Sequence, residues 1–204
     1  MALDDLRIVA LAPARADDYL RFFDDARIAG PAGAPGWAAC YCHLHHVPPP
    51  LDPAAFDAGA NRLAMQARVA CGEMEGYLAM RGGRVVGWLN AQPRHRLRFC
   101  DERIGAAAPP PDVPAHEAAA IVCFALPAGE RSADDARALL DGALADLTAR
   151  GVRVADAWPA EADDDDPARD AFRGRRAWFD AAGFSVVASA HGRIVMRKRL
   201  DPDR

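Results

Sequence analysis

Apolar positions recur along the chain with two different spacings, and these spacings predict its secondary structure. The helical spacing is clearest over Ser132–Arg150, where alanine and leucine return every three or four residues until Gly151. Asp52 followed by Pro53 indicates a second helix start, because aspartate caps helices and proline suits their first turn. The predicted helices are Ala16–Ile28, Pro53 to about Cys71, Ser132–Arg150 and Ala171–Ala182.

Short runs of β-prone residues predict the strands. Ala119–Leu126 is apolar throughout, as expected for a strand covered on both faces. Gly82-Gly83 separates two such runs and predicts a tight hairpin. Strands that alternate with helices are expected to be parallel neighbours. The predicted strands are Leu6–Leu11, Gly76–Met80, Val85–Ala91, Ala119–Leu126, Val152–Trp158, Phe184–Ala190 and Ile194–Leu200.

Composition and charge narrow the class of protein. The 204 residues are 51% hydrophobic and 26% charged, which excludes a wholly disordered chain. They fit a single domain over 1–204, with its core at about 5–200 and a frayed tail at 201–204. The net charge of −4 argues against nucleic-acid binding. No apolar run reaches the about 20 residues needed to span a bilayer, so we expect a cytoplasmic protein that binds neither nucleic acid nor membrane.

The segment 40–46 concentrates cysteine and histidine. Cys40, Cys42, His43 and His46 are the residue types of a closed tetrahedral zinc site. Their spacing lacks the usual loop of two to four residues between cysteines, so we predict no metal and keep zinc as a minority hypothesis. The alternatives are that the segment lines an acceptor pocket or simply packs. His43 or His46 could serve as a base, since imidazole titrates near neutrality.

Several segments resemble the GNAT family of acyl-CoA-dependent N-acetyltransferases, in a bacterial subgroup. Trp178-Phe-Asp-Ala-Ala-Gly-Phe184 is similar to the late helix of the family and its exit. The other similar segments are Trp37–Pro48, Val86–Arg94, Ile121–Phe124 and Ala136–Gly151. The resemblance implies an α/β fold: a mixed, twisted sheet of about seven strands with splayed fourth and fifth strands, flanked by about four helices.

The resemblance also implies an activity: transfer of an acetyl or acyl group from acyl-CoA to a primary amine of a small molecule or peptide. Pantetheine would pair with the fourth strand at Cys123, Phe124, Ala125 and Leu126. The diphosphate would bind the loop and helix start at Arg131, Ser132, Ala133, Asp134, Asp135 and Ala136. The acceptor would contact Trp37, Tyr41, Cys42 and His46, with His43 and Glu117 as catalytic candidates. GNAT proteins are often dimers, so a homodimer is the assembly to test.

The diphosphate loop departs from the family pattern. Ser132 and Asp134 replace its two glycines, and Asp134 and Asp135 would repel a diphosphate. Ser132 and Asp135 also fit a helix-capping pattern, in which the helix satisfies its own amides. Phe172 and Phe179 stand where many members carry a tyrosine acid. The alternative function is therefore a GNAT-fold protein that has lost acetyl-CoA use and binds a ligand, metal or partner.

Three arginines follow the third predicted strand. Arg94, Arg96 and Arg98 alternate and would share one face of an extended segment. An anionic acceptor or the 3′-phosphate of the cofactor could bind there, although a solvated strand edge is the default interpretation.

Overall fold

A computed structural model describes residues 6–25, 38–49, 57–97, 99, 109–127, 133–159, 172–190 and 193–200. Within these residues the chain forms seven strands and four α-helices. The strands are β1 (Arg7–Ala10), β2 (Tyr77–Arg81), β3 (Arg84–Pro93), β4 (Ala118–Ala125), β5 (Val154–Ala157), β6 (Ser185–Ala190) and β7 (Arg193–Arg199). The helices are α1 (Ala16–Asp24), α2 (Ala58–Ala70), α3 (Ala133–Ala149) and α4 (Arg176–Ala181).

All seven strands join one mixed sheet in the order β1-β2-β3-β4-β5-β7-β6. Every neighbouring pair is antiparallel except β4 and β5, which are parallel. The β2–β3 hairpin closes at the predicted Gly82-Gly83 turn, where both glycines have positive φ. The predicted mixed sheet of about seven strands flanked by about four helices is therefore confirmed.

The pairing of β4 with β5 stops halfway along β4. The register runs from Ala118↔Val154 to Ile121↔Ala157, whereas β4 continues to Ala125. Beyond Ile121, β4 has no β5 partner. We call the space beside Val122–Ala125, where the two strands part, the cleft. This is the splay that the resemblance implies for the fourth and fifth strands.

The two faces of the sheet have different coverings. On one face, α3 buries Leu139, Leu140 and Leu147 completely against residues such as Leu89 and Phe124. On the other face, α1, α2 and the segment 38–47 cover the sheet. Side chains here include Tyr19, Tyr41, Cys42, Trp88 and Cys123. The apolar stripe predicted for α3 thus faces the sheet, as expected.

Three segments differ from the sequence prediction. The Asp57 carboxylate caps α2 by accepting from the Gly59 amide at 2.6 Å, and the predicted start at Asp52 and Pro53 lies outside the described residues. Arg94–Arg96 forms a 3₁₀ turn, so the arginines do not share one face of an extended segment. Helix α4 begins at Arg176, because Gly174 has a φ of +72° and Phe172–Gly174 is not helical. No helix in the described part of the chain is long and apolar enough to cross a membrane.

Candidate functional site

Another segment of the same chain contacts β4 beside its C-terminal half, in the cleft. The Phe124 amide donates to the Phe172 carbonyl oxygen at 2.9 Å, and Phe124 forms a parallel bridge with Arg173. Phe172–Gly174 therefore lies along β4 after its pairing with β5 has ended. A strand amide expected to receive a cofactor is thus satisfied within the protein.

Close packing holds this segment against β4. A Cβ atom on Gly174 would lie 2.9 Å from Cδ1 of Phe124, so only glycine fits there. The Phe124 ring also contacts Trp178, with centroids 5.1 Å apart, and Phe179, with centroids 6.1 Å apart. Phe179 is completely buried in this cluster.

At the start of α3 the two aspartates have different surroundings. Asp134 is exposed, whereas Asp135 is buried and forms a two-point ion pair with Arg81. The distances are 2.6 Å from Nη2 to Oδ1 and 3.2 Å from Nη1 to Oδ2. The expectation that both carboxylates oppose a diphosphate is corrected, because the Arg81 guanidinium compensates the charge of Asp135. Ala133 is exposed and Ala136 is buried, while Arg131 and Ser132 lie outside the described residues.

Tyrosine hydroxyls bind the cysteine- and histidine-rich segment to α1. The Tyr19 hydroxyl donates to the Tyr41 carbonyl oxygen at 2.5 Å, and the Tyr41 hydroxyl donates to Asp24 at 2.6 Å. Asp24 in turn pairs with Arg62 at 2.9 Å, which lowers the pKa of its carboxyl group. These bonds fix Tyr41 and Cys42 on the sheet, while Trp37 lies outside the described residues.

Cys42 and Cys123 meet on this face of the sheet. The Trp88 indole N–H donates to Cys42 Sγ at 3.2 Å, and Cys123 lies in the same buried cluster. Burial acts to raise the pKa of Cys42, but the neighbouring polar groups of Cys123, Trp88 and Asn90 outweigh it, so the pKa lies below its ordinary value. The interaction with Cys42, followed by burial, raises the pKa of Cys123 well above its ordinary value.

The histidines of the segment point in different directions. His43 Nδ1 lies 2.8 Å from Asn61 Oδ1, and Asn61 Nδ2 donates to the Ala39 carbonyl oxygen at 2.8 Å. Because the Asn61 oxygen can only accept, His43 carries its proton on Nδ1 and is basic at Nε2. His46 is buried, and burial lowers its pKa to about 4, so it is neutral at pH 7.

The described side chains do not form the cluster that the minority zinc hypothesis would need. Among the described side chains, no group of three or more His, Cys, Asp or Glu could hold a metal ion. Cys40 Sγ accepts from the Leu44 amide at 3.4 Å, Cys42 faces Trp88, and His43 faces Asn61. Cys40 and Cys42 are separated by one residue, and their sulfurs contact different partners.

Two other candidates lie away from the cleft. Glu117 precedes β4 and pairs with Arg153 at 3.3 Å. At the rise of an extended strand it lies about 23 Å from Phe124, at the opposite end of β4. Its role as a base stays a prediction. Arg94 is buried and pairs with the buried Asp156 at 3.1 Å, which excludes it as a surface contact for an anion. Arg98 lies outside the described residues.

Comparisons with known proteins identify the fold. No protein-family model matches the sequence, and no curated protein sequence matches it. Among solved structures, a GNAT superfamily phosphinothricin acetyltransferase from Sinorhizobium meliloti in complex with acetyl-CoA is 16% identical, with a TM-score of 0.53 over 96% of this chain and 89% of that chain. The PaiA N-acetyltransferase from Thermoplasma acidophilum in complex with coenzyme A is 11% identical, with a TM-score of 0.54 over 98% and 99% of the two chains.

A ribosomal-protein-alanine N-acetyltransferase from Brucella melitensis is also similar, at 17% identity and a TM-score of 0.52, covering 95% of this chain and 99% of that chain. At these identities the likeness is one of fold. The chain has the GNAT acetyltransferase fold, as the sequence resemblance predicted.

Proposed function

We propose that this protein transfers an acyl group from an acyl-CoA thioester to a primary amine of a small molecule or peptide. The observation that carries the proposal is the parting of β4 and β5 after Ile121 and Ala157, within the GNAT strand order. Two similar structures were solved with acetyl-CoA or coenzyme A bound. Their ligands support acetyl-CoA as the donor to be tested first.

The donor would lie along Cys123–Leu126 and reach the first turn of α3. A helix N-terminus presents unpaired amides and a positive dipole end, which favour a phosphate. The exposed Asp134 opposes that charge, whereas Asp135 is compensated by Arg81. We therefore expect weak, millimolar binding that Asp134 limits more than Asp135.

The amine would approach from the α1–α2 face, which includes Tyr41 and Cys42, and His46 is a further candidate contact. A nucleophilic amine must be neutral when it attacks the thioester. We assign His43 Nε2 as the acceptor of its proton, since Asn61 fixes the tautomer. With Phe172 and Phe179 unable to donate, the leaving thiolate takes its proton from water.

A second candidate function is favoured by the segment in the cleft. The Phe124 amide already has the Phe172 carbonyl oxygen as its acceptor, and Gly174 is packed against the Phe124 ring. A GNAT-fold protein that has lost acetyl-CoA use would keep this arrangement permanently. In the enzyme, by contrast, Phe172–Gly174 must leave β4 when the donor binds.

Calorimetric titration with acetyl-CoA separates the two candidates. For the enzyme we expect saturable binding that tightens at least tenfold, or about 1.4 kcal/mol, in Asp134→Gly. Asp134→Glu is the matched control, and it should not tighten binding because it keeps the negative charge at this position. Release of coenzyme A in the presence of a panel of primary amines then tests transfer. No binding by either the unaltered chain or Asp134→Gly would favour the second candidate.

A further inference from the structure

Two buried cysteines on the α1–α2 face have no role in direct transfer from a thioester to an amine. Trp88 and Asn90 are two residues apart on β3 and so project to the same face of the sheet. Cys123 is the direct partner of Asn90 across the β3–β4 ladder. Since the Trp88 indole holds Cys42 Sγ at 3.2 Å, the strand register and this bond bring the sulfurs of Cys42 and Cys123 together.

Donors lie near the Cys42 sulfur. The Trp88 N–H donates to it at 3.2 Å, and the polar side chain of Asn90 lies near it. Asn90 Oδ1 accepts from Gln92 Nε2 at 2.7 Å. The buried Asn90 Nδ2 has no hydrogen-bond acceptor within the described residues. The Trp88 donor and this unused donor nearby suit a thiolate, which accepts hydrogen bonds more strongly than a thiol.

The backbone at Tyr41 and Cys42 has a strained conformation. Tyr41 and Cys42 are consecutive residues with φ of +47° and +58°, and they are the non-glycine residues with positive φ in the described chain. The Tyr19 bond to the Tyr41 carbonyl and the Tyr41 bond to Asp24 maintain this conformation. Strain of this kind is usually found where a side chain must point at one particular partner.

We propose that Cys42 and Cys123 form an oxidisable dithiol that closes to an intramolecular disulfide when a small hydroperoxide reacts with it. The Cys42 thiolate attacks the peroxide oxygen, which gives a sulfenic acid and, with hydrogen peroxide, water. The Cys123 sulfur then attacks the Cys42 sulfur, the S–S bond forms, and the hydroxyl leaves as a second water. Two thiols are oxidised by two electrons, and one peroxide is reduced to two waters.

The reagent must be small because both cysteines are nearly enclosed. Cys42 is 5% exposed and Cys123 is 7% exposed, so the edge of each residue reaches the surface. Cys40 is the neighbouring competitor, but its sulfur faces the Leu44 amide, and burial followed by the proximity of Cys42 raises its pKa to about 12. A disulfide between Cys42 and Cys123 would link the segment 38–47 covalently to β4 beside the cleft.

The test uses the full chain with Cys40, Cys71 and Cys100 replaced by serine, so that Cys42 and Cys123 alone remain. Hydrogen peroxide is added, and the remaining thiols are alkylated before intact-mass measurement. The expected product is a monomer that has lost the mass of two hydrogen atoms, takes up no alkylating agent, and recovers both thiols with dithiothreitol. Its tryptic map should contain the Cys42 and Cys123 peptides joined together.

The matched control replaces Cys42, Cys71 and Cys100 and keeps Cys40 with Cys123. It should retain two alkylatable thiols at a peroxide dose that fully oxidises the exposed Cys71 of the unaltered chain. Circular dichroism checks that both variants are folded. If either is not, peptide mapping of the Cys71→Ser and Cys100→Ser chain decides the pairing instead. Two intact thiols after oxidation, separate oxygen additions without a link, or a link through Cys40 would each overturn the proposal.

Discussion

The two faces of the sheet differ in how their buried side chains are stabilised. On the α3 face, leucine and alanine side chains interlock with other apolar residues, as in Leu139, Leu140 and Leu147. On the α1–α2 face, Tyr19 and Cys42 are buried too, and each is hydrogen-bonded to a residue from elsewhere in the chain. The first face is stabilised by the amount of apolar surface that it buries. The second depends on individual hydrogen bonds, and it is the face on which we place the acceptor.

The largest expected effect is a cavity on the α3 face. Leu140→Ala should lower the free energy of unfolding by about 2–5 kcal/mol, because Leu140 is fully buried and its removal leaves a cavity. Asp141→Ala, one position further on the exposed side of α3, should change it by less than about 0.5 kcal/mol. Urea unfolding measures both. Equal effects would mean that α3 does not bury the face described.

On the α1–α2 face, stability should depend on pH through His46. Burial lowers the pKa of His46 to about 4 from 6.5, so the unfolded state binds its proton first as the pH falls. Stability should therefore decrease from pH 6.5 to pH 4, by on the order of 3 kcal/mol. In His46→Gln this part of the pH dependence should disappear. Denaturant unfolding at several pH values checks it, and an unchanged slope in the variant would contradict the burial of His46.

A smaller effect should follow from the loss of one hydroxyl on the same face. Tyr19→Phe keeps the ring but leaves the buried Tyr41 carbonyl oxygen without its donor, which should cost about 1–3 kcal/mol of stability. Tyr77→Phe is the matched change on the α3 face. It loses a bond to the partly exposed Asp146, so its effect should be about 0.5–1.5 kcal/mol. Thermal unfolding ranks the two, and a larger effect at Tyr77 would reverse the comparison.

Local patterns explain which parts of this fold could be predicted from the sequence. The apolar residues of α3 recur every three or four positions, and β4 is a continuous apolar run. Each pattern lies within one short segment, so burial could be predicted from the sequence of that segment alone. The hairpin at Gly82-Gly83 was equally local. Resemblance to the GNAT family supplied the strand order, which periodicity alone does not contain.

The site was harder to predict because its contacts join distant residues. Nothing near Asp135 indicates that Arg81, 54 residues away, compensates its charge. The bond between Phe124 and Phe172 likewise depends on how a later segment returns to β4. The position of Glu117 had an available signal: a residue that precedes a strand lies at the opposite end of that strand from the residues that end it. For the buried pairing of Arg94 with Asp156, sequence spacing offered no signal.

The central claim is that the cleft beside β4 binds an acyl-CoA donor, and the Phe124 amide reports on it most directly. Phenylalanine labelled with ¹⁵N gives one amide resonance for each residue, and Phe124→Leu assigns the relevant one. On titration with acetyl-CoA, the Phe124 and Phe172 resonances should shift saturably together as the bond between them is replaced, while that of Phe22 in α1 stays in place. Saturating acetyl-CoA that leaves the Phe124 resonance unmoved would contradict the account.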